Sequence, residues 1–151
     1  MKRILSFGIR VMVGLVFTGS GFLKLLEPSE VFRQSLVQYQ IFSVFWAKGI
    51  SRGLPWLEYL FGLLFLLGLN TTVALAVLWI LNTLFIGVLA SVVLRHIPLE
   101  GCGCFGGLVH LSVRQALRLD MILWLMLIYY AWDKKNKSQT SVKMGIKTGR
   151  L

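Results

Sequence analysis

Four apolar runs divide this chain, each bounded by charged or turn-forming residues. Ile4 to Leu23 is a stretch of about 20 residues interrupted by Arg10, and roughly that length crosses the hydrocarbon core of a bilayer as a helix. Leu54 to Leu69 and Thr71 to Leu94 follow, separated by little more than Asn70, which predicts a helical hairpin. The fourth run, Met121 to Trp132, is shorter. Ser112 and Gln115 upstream of it form an S-x-x-Q capping box that starts a helix near Val113, long enough to span with Arg114 and Arg118 snorkelling toward the interface. Pro55 suits the first turn of the second span, where its missing N–H costs nothing. The pattern predicts an all-α integral membrane protein, a four-transmembrane-helix bundle over residues 1–133 with spans at about 4–23, 54–69, 71–94 and 113–132. The first run exceeds the usual core of a signal peptide and no A-x-A-like site follows, so it reads as a retained span.

The segment from Lys24 to Gly53 is too long for a simple connector. Val31, Phe32, Leu36, Tyr39, Phe42 and Phe45 recur at nearly helical spacing, which predicts an interfacial or re-entrant helix, or an aromatic loop lying on headgroups, between helices 1 and 2. Small residues in Phe17-Thr18-Gly19-Ser20-Gly21, with Gly62 and Gly68, predict close helix contact. Asn82, Thr83 and Ser91 in the third span read as interhelical hydrogen-bonding groups. Residues 134–151 are basic, and from Asn136 onward the chain has no apolar period, which predicts a disordered tail.

Composition agrees with a membrane protein: 56% of residues are hydrophobic and 15% charged. The formal net charge of +10 does not point to nucleic acid, because the cations are scattered among apolar spans without an interleaved aromatic platform. Lys2 and Arg3 precede the first span, and Lys134, Lys135, Lys137, Lys143, Lys147 and Arg150 follow the last, which by the positive-inside rule makes both termini cytoplasmic. The tail lysines suit an anionic lipid leaflet. An even number of spans places the loop from Arg95 to Ser112 outside, although Lys24, Arg33, Lys48, Arg52, Arg95, Arg114 and Arg118 on that side make the charge bias modest.

That loop carries the sharpest chemical signal. Gly101-Cys102-Gly103-Cys104-Phe105-Gly106-Gly107 holds both cysteines of the chain, one residue apart. A Cys-x-Cys pair closes on itself only as a tight disulfide, and strained disulfides are the more easily reduced kind, which favours exchange over stapling. Arg95, His96, His110 and Arg114 flank the loop, and the capped end of the fourth helix points its dipole toward it, both of which favour thiolate. Three other readings stand beside exchange: a metal held with His96 and His110, for which the spacing is unusual and no site is assigned, a static disulfide, or inert buried thiols. Within the spans, Lys24 and Glu58 fall at heights where they can meet, to fix helix register or to take part in function, whereas Arg10 lies several turns away. Asp120, about two turns into the fourth helix, is on the outer side and could influence the thiols.

Arg10, the run Gly14-Leu15-Val16-Phe17-Thr18-Gly19-Ser20-Gly21-Phe22-Leu23-Lys24-Leu25, Pro28 and Phe32, then Leu54-Pro55-Trp56-Leu57-Glu58 with Gly62 and Gly68, and finally Cys102-Gly103-Cys104-Phe105-Gly106 together resemble the DoxX-like superfamily and its cysteine-bearing branch, the methylamine-utilisation protein MauE family. The resemblance runs from about Arg10 to Trp132. It implies a four-helix protein of the bacterial inner membrane needed for maturation of an extracytoplasmic, disulfide-rich client, the methylamine dehydrogenase small subunit in the methylamine case, with a thioredoxin-like partner in the same pathway. Carried over, Cys102 and Cys104 become the redox pair and Lys24 and Glu58 match family positions, while His96, His110 and Arg114 support the pair by their place beside the loop. The expectation is a membrane component of thiol–disulfide exchange, with a quinone as the natural acceptor if electrons continue into the bilayer. The alternative is a non-enzymatic membrane subunit that anchors or assembles a quinone-linked oxidoreductase.

Overall fold

The computed structural model describes residues 2–28, 33, 34, 36, 37, 44–96 and 112–148. Among the described residues four long helices run alternately up and down: α1 (Lys2–Leu26), α2 (Val44–Leu67), α3 (Thr71–Leu94) and α4 (Val113–Thr148). Each packs on the next and α4 returns to α1, closing a four-helix bundle. The core is a layer to which all four helices contribute, with Val13, Phe65, Ala74, Leu78 and Leu127 fully buried and Ile9, Phe17 and Leu123 nearly so.

Three helices among the described residues are long and apolar enough to cross a membrane: Ile4–Leu26, Lys48–Leu67 and Thr71–Leu94. The expected fourth span falls short by that measure. The apolar run of α4 from Met121 to Trp132 is enclosed between Asp120 and Asp133, with Arg114 and Arg118 above it and Lys134 and Lys135 below, so the helix is not apolar enough to count. It nonetheless follows α3 along most of its length. Ala116 packs on Leu89, Asn82 Nδ2 donates to the Asp120 carbonyl at 3.0 Å, Trp124 Nε1 donates to Thr83 Oγ1 at 3.2 Å, and Lys134 Nζ donates to both Thr71 and Thr72 hydroxyls at 2.7 Å. These contacts bear out the interhelical role read for Asn82 and Thr83, whereas Ser91 bonds within its own helix to the Val88 carbonyl. At the far end Ser6 Oγ donates to a buried Asp133 carboxylate and ties α1 to α4.

α1 and α2 make the closest crossing. A methyl group on Gly14 would meet the Leu66 backbone at 2.9 Å, one on Gly62 the Thr18 nitrogen at 2.6 Å, and one on Gly21 the Tyr59 nitrogen at 2.5 Å. Each step forward on α1 is matched by a step back on α2, the register of an antiparallel pair. Gly21 and Gly62 thus do what their small size predicts. Gly19 meets nothing within 4 Å, and Gly68 serves elsewhere.

Gly68 ends α2. At φ 80° it allows the Leu69 N–H to reach the Leu64 carbonyl (2.9 Å) and its own N–H to reach Phe65 (3.2 Å), the paired bonds of a Schellman motif, and the Arg10 guanidinium lies against it. Asn70, also left-handed at φ 47°, launches α3 at Thr71, where the sequence predicts it. The second helix departs from expectation at its other end. It begins at Val44, so Pro55 sits in its interior rather than its first turn, fully buried at the α1 crossing, and the span runs from Lys48 to Leu67. α1 likewise continues past Leu23 to Leu26.

Ser112 caps α4 as the S-x-x-Q pattern predicts: the Ser112 N–H donates to Gln115 Oε1 at 3.1 Å and the Gln115 N–H to Ser112 Oγ at 3.4 Å. At its other end α4 continues to Thr148, past the Asn136 at which the sequence predicts disorder to begin. No proline interrupts that stretch, and lengthening an existing helix avoids the cost of nucleation. Of the connection between α1 and α2, Arg33, Gln34, Leu36 and Val37 are described and helical, and Leu36 is buried against Val92, Ile50 and Leu54.

Candidate functional site

Lys24 lies in the last turn of α1 and Glu58 in the middle of α2. Side chains on a helix lean toward its N-terminus, and because the two helices are antiparallel, Lys24 leans into the bundle while Glu58 leans toward the end from which Lys24 comes. They meet as a bidentate pair, with Lys24 Nζ at 2.7 Å from Oε1 and 2.8 Å from Oε2 of Glu58. Ser20, one helical turn before Lys24 on the same face, donates to Oε2 at 3.2 Å. From α3 the Phe85 ring covers the ammonium at 5.1 Å from its centroid. Lys24 is 3% exposed and Glu58 0%.

Burial of two ions costs several kcal/mol each, and Coulomb attraction recovers this only with good geometry and further hydrogen bonds. The double contact, the serine and the aromatic face meet that demand. Three of the four helices therefore converge on a single charge pair. One turn back along α3 from Phe85 sits Asn82, itself 0% exposed, whose Oδ1 has no hydrogen-bond partner among the described residues. Asp120, to whose carbonyl Asn82 donates, is 9% exposed. Arg10 is remote from Glu58, as its sequence position predicts, lying over Phe7 and against the α2–α3 turn.

The antiparallel order sets the ion pair in the half of the bundle where α1 and α3 end and α2 and α4 begin. The 97–111 connection joins α3 to α4 at that same end, and Cys102, Cys104 and His110 fall in it, outside the described residues. Its two flanks are described. Arg95 is the C-cap of α3 and His96 follows in a left-handed conformation at φ 52°, both exposed. Arg114 is exposed in the first turn of α4. Leu89, Val113, Ala116 and Leu117 pack together and hold those two helix ends side by side. Among the described residues no group of three His, Cys, Asp or Glu side chains could hold a metal ion.

The structure thus brings Lys24 and Glu58 together and places His96 and Arg114 on either side of the cysteine connection. Sequence reasoning missed Ser20 and Phe85 as members of the site. The i, i+4 spacing of Ser20 and Lys24 was a signal for the first; nothing in the local sequence marks Phe85. Gly14, which admits α2 to within contact of α1, completes a Gly-x-x-x-Thr and Gly-x-x-x-x-x-x-Gly stripe with Thr18 and Gly21.

A closed helical bundle with three membrane-length helices, a sequestered ammonium–carboxylate pair and a connection bearing two cysteines at the same end defines an integral membrane protein with charge buried in its interior. The family model of the methylamine utilisation protein MauE matches residues 2–133, and the chain belongs to that family. It is therefore a membrane protein of the methylamine-utilisation MauE family. No curated protein matches it, and no solved structure does.

Proposed function

We propose that this MauE-family protein exchanges thiols and disulfides through Cys102 and Cys104 with a thioredoxin-like extracytoplasmic protein, and so supports maturation of a disulfide-containing client. One thiolate attacks a sulfur of the partner disulfide. That S–S bond breaks, a mixed disulfide forms, and the proton lost by the attacking thiol ends on the released partner sulfur. The neighbouring cysteine then attacks the sulfur of the first cysteine in the mixed disulfide, that bond breaks, the Cys102–Cys104 bond forms, and its proton ends on the departing partner sulfur. Two electrons thus pass from the pair to the partner; starting from the oxidised pair the same steps run in reverse and a dithiol client is oxidised.

The observation that carries this reading is the placement of both cysteines in one short connection whose flanks are cationic and whose downstream helix is capped. Arg95 and Arg114 are exposed beside it, and the N-terminus of α4 adds the positive end of its dipole, all of which favour the thiolate form. The protein resides in the bacterial inner membrane with both termini cytoplasmic. In support, α4 runs back along α3 from Ala116 to Lys134, so the chain returns to the side on which it began. The helical residues around Leu36 cap the outer end as part of an interfacial segment. The Lys24–Glu58 pair fixes the depth and register of α1 and α2 beneath the connection. Were electrons to continue into the bilayer, a quinone would be the natural acceptor.

The test is thiol trapping in intact cells with a membrane-impermeant maleimide, before and after mild external reduction. Labelling of Cys102 and Cys104 that appears only after reduction supports an oxidised, accessible outer pair. Permanently free thiols, or labelling only after lysis, overturn it. A Cys102→Ser/Cys104→Ser variant that still matures the client leaves the scaffold reading, in which the bundle assembles a larger oxidoreductase.

A further inference from the structure

A groove of about 510 Å³ runs along the outside of the bundle between α3 and α4, in the half where the chain begins. Side-chain size creates it. Ala76 and Ala131 are small and exposed, so the half-buried Leu75 and the buried Leu127 form a floor below the projecting Trp79 and Trp132. At the deep end Trp79 stacks on Trp124, with ring centroids 6.4 Å apart. Thr72 and Lys135 stand at the mouth, and Thr72 shares with Thr71 the ammonium of Lys134, 2.7 Å from each hydroxyl. From Thr72 to Trp79 the groove follows about 10 Å of helix. That is about two-thirds of the roughly 15 Å of hydrocarbon in one leaflet.

The two lysines at the mouth carry charge that the protein does not neutralise. Of the chain's six acidic residues, Glu27, Glu30 and Glu100 belong to the connections at the opposite end, Glu58 is paired with Lys24, and Asp120 stands about 20 Å further along α4. The sixth, Asp133, is buried and bonded to Ser6 of α1. Beyond Lys135 the sequence adds Lys137, Lys143, Lys147 and Arg150 and no further acidic residue.

We infer that this groove holds one anionic phospholipid of the adjoining leaflet, with an acyl chain laid from Thr72 to Trp79 and its phosphate at Lys134 and Lys135. The inference stands apart from the thiol chemistry and rests on the membrane reading alone. A phosphate supplies the counter-charge that the lysines lack, and basic pockets between membrane helices bind such headgroups. The apolar recess directly below the cations selects a lipid over a soluble anion. Trp132, one turn before Lys135 on the same face, adds an indole at headgroup depth. A second copy of the chain is a poor occupant, because a two-fold contact across this face would set one Lys135 toward the other.

The experiment uses the full-length chain with Trp46→Phe/Trp56→Phe, so that the remaining fluorescence comes from Trp79, Trp124 and Trp132. The protein is placed in phosphatidylcholine nanodiscs containing rising fractions of dibrominated phosphatidylglycerol or dibrominated phosphatidylcholine, whose bromines quench indoles in contact with the chain. At about fivefold per lysine, and less for Lys134 because its hydroxyl partners hold it, phosphatidylglycerol should half-quench at a mole fraction about tenfold lower than phosphatidylcholine. Lys135→Gln should cut that preference to about twofold, whereas Lys2→Gln, which removes the same charge at the same end but from α1, should leave it near tenfold. Ala76→Phe keeps every charge and fills the groove, and should abolish the preference. Equal half-quenching by the two lipids overturns the inference, and this comparison needs neither groove variant to fold. Equal losses in Lys135→Gln and Lys2→Gln overturn it in favour of diffuse surface charge, and a preference that survives Ala76→Phe shows the groove to be empty of the lipid. Weak quenching by both lipids, with two chains per disc counted by photobleaching, overturns it in favour of a second copy.

Discussion

Glu58→Gln is the most demanding test of the buried pair. In the native bundle the carboxylate, with no exposure to solvent, takes two hydrogen bonds from Lys24, at 2.7 and 2.8 Å, and one from Ser20 at 3.2 Å. The amide keeps the shape and one acceptor oxygen but removes the charge, leaving the Lys24 ammonium buried without a counter-ion. Breaking a buried pair in this way costs about 3–5 kcal/mol. Lys24→Met alone should cost a similar amount by stranding the carboxylate. Combined as Lys24→Met/Glu58→Gln, the two changes leave no ion to desolvate, and stability should return to within about 2 kcal/mol of the starting protein. The double-mutant cycle should therefore show a coupling of at least about 4 kcal/mol. Unfolding in mixed micelles, followed by tryptophan fluorescence and helical circular dichroism, supplies the four free energies. Costs that add to within about 0.5 kcal/mol would refute the reasoning, because they would mean that the two charges do not sense one another in the folded state. A double variant that folds fully yet no longer supports client maturation would assign the pair a chemical role beyond its structural one.

Three further outcomes follow from the backbone. Gly21→Ala and Gly62→Ala should each destabilise the bundle by about 1–3 kcal/mol, because the added methyl meets α1 or α2 backbone at 2.5–2.6 Å, while Gly19→Ala, with nothing within 4 Å, should be neutral or slightly stabilising; the same unfolding assay ranks them. Gly68→Ala should cost more than about 1 kcal/mol, since it combines a left-handed backbone at φ 80° with a collision against Arg10, and Arg10→Ala in the same chain should recover only the steric part. Ser112→Ala should cost about 0.5–2 kcal/mol and speed amide exchange in the first turn of α4, with no change in exchange at the Lys134 end of the same helix.

The parts of the molecule that announce themselves in sequence are those governed by local rules. The helix from Thr71 to Leu94 is bounded by a glycine turn and by the first charge after a long apolar run, and it ends where the pattern says. The capping box at Ser112 forms because its two residues need only each other. Lys24 and Glu58 could be matched across two helices because charge inside a span demands a partner and helical rise fixes the heights. The start of α2 was hidden, because proline marks a first turn by local preference alone. In the bundle, packing of Pro55 against the Gly21 region of α1 accommodates it in a helix interior. Gly14 and Phe85 were equally hidden, since their roles depend on which face of a neighbouring helix arrives opposite them. The fourth helix falls short in apolarity for a related reason: its apolar run is short, and its contacts with α3 and α1 show how it sits in the bundle. Cys102, Cys104 and His110, the residues most distinctive in sequence, lie in the 97–111 connection, outside the described residues.

The apolar layer built from Ile9 to Phe17, Phe65, Ala74, Leu78, Leu123 and Leu127 has an electrical consequence. It occupies about 12 Å of the bundle axis, from the rise of a helix between Ile9 and Phe17, and it lies between the Lys24–Glu58 pair and the end where Ser6 meets Asp133. A low-dielectric slab of that thickness carries much of the voltage across a bilayer. Moving one charge through the full potential is worth about 2.3 kcal/mol per 100 mV, whereas a charge that reaches the pair from the cysteine end stops short of the slab and does little of that work. The thiol exchange proposed for that end would thereby be insulated from the membrane potential, so its rate should stay constant when the potential of sealed vesicles is collapsed.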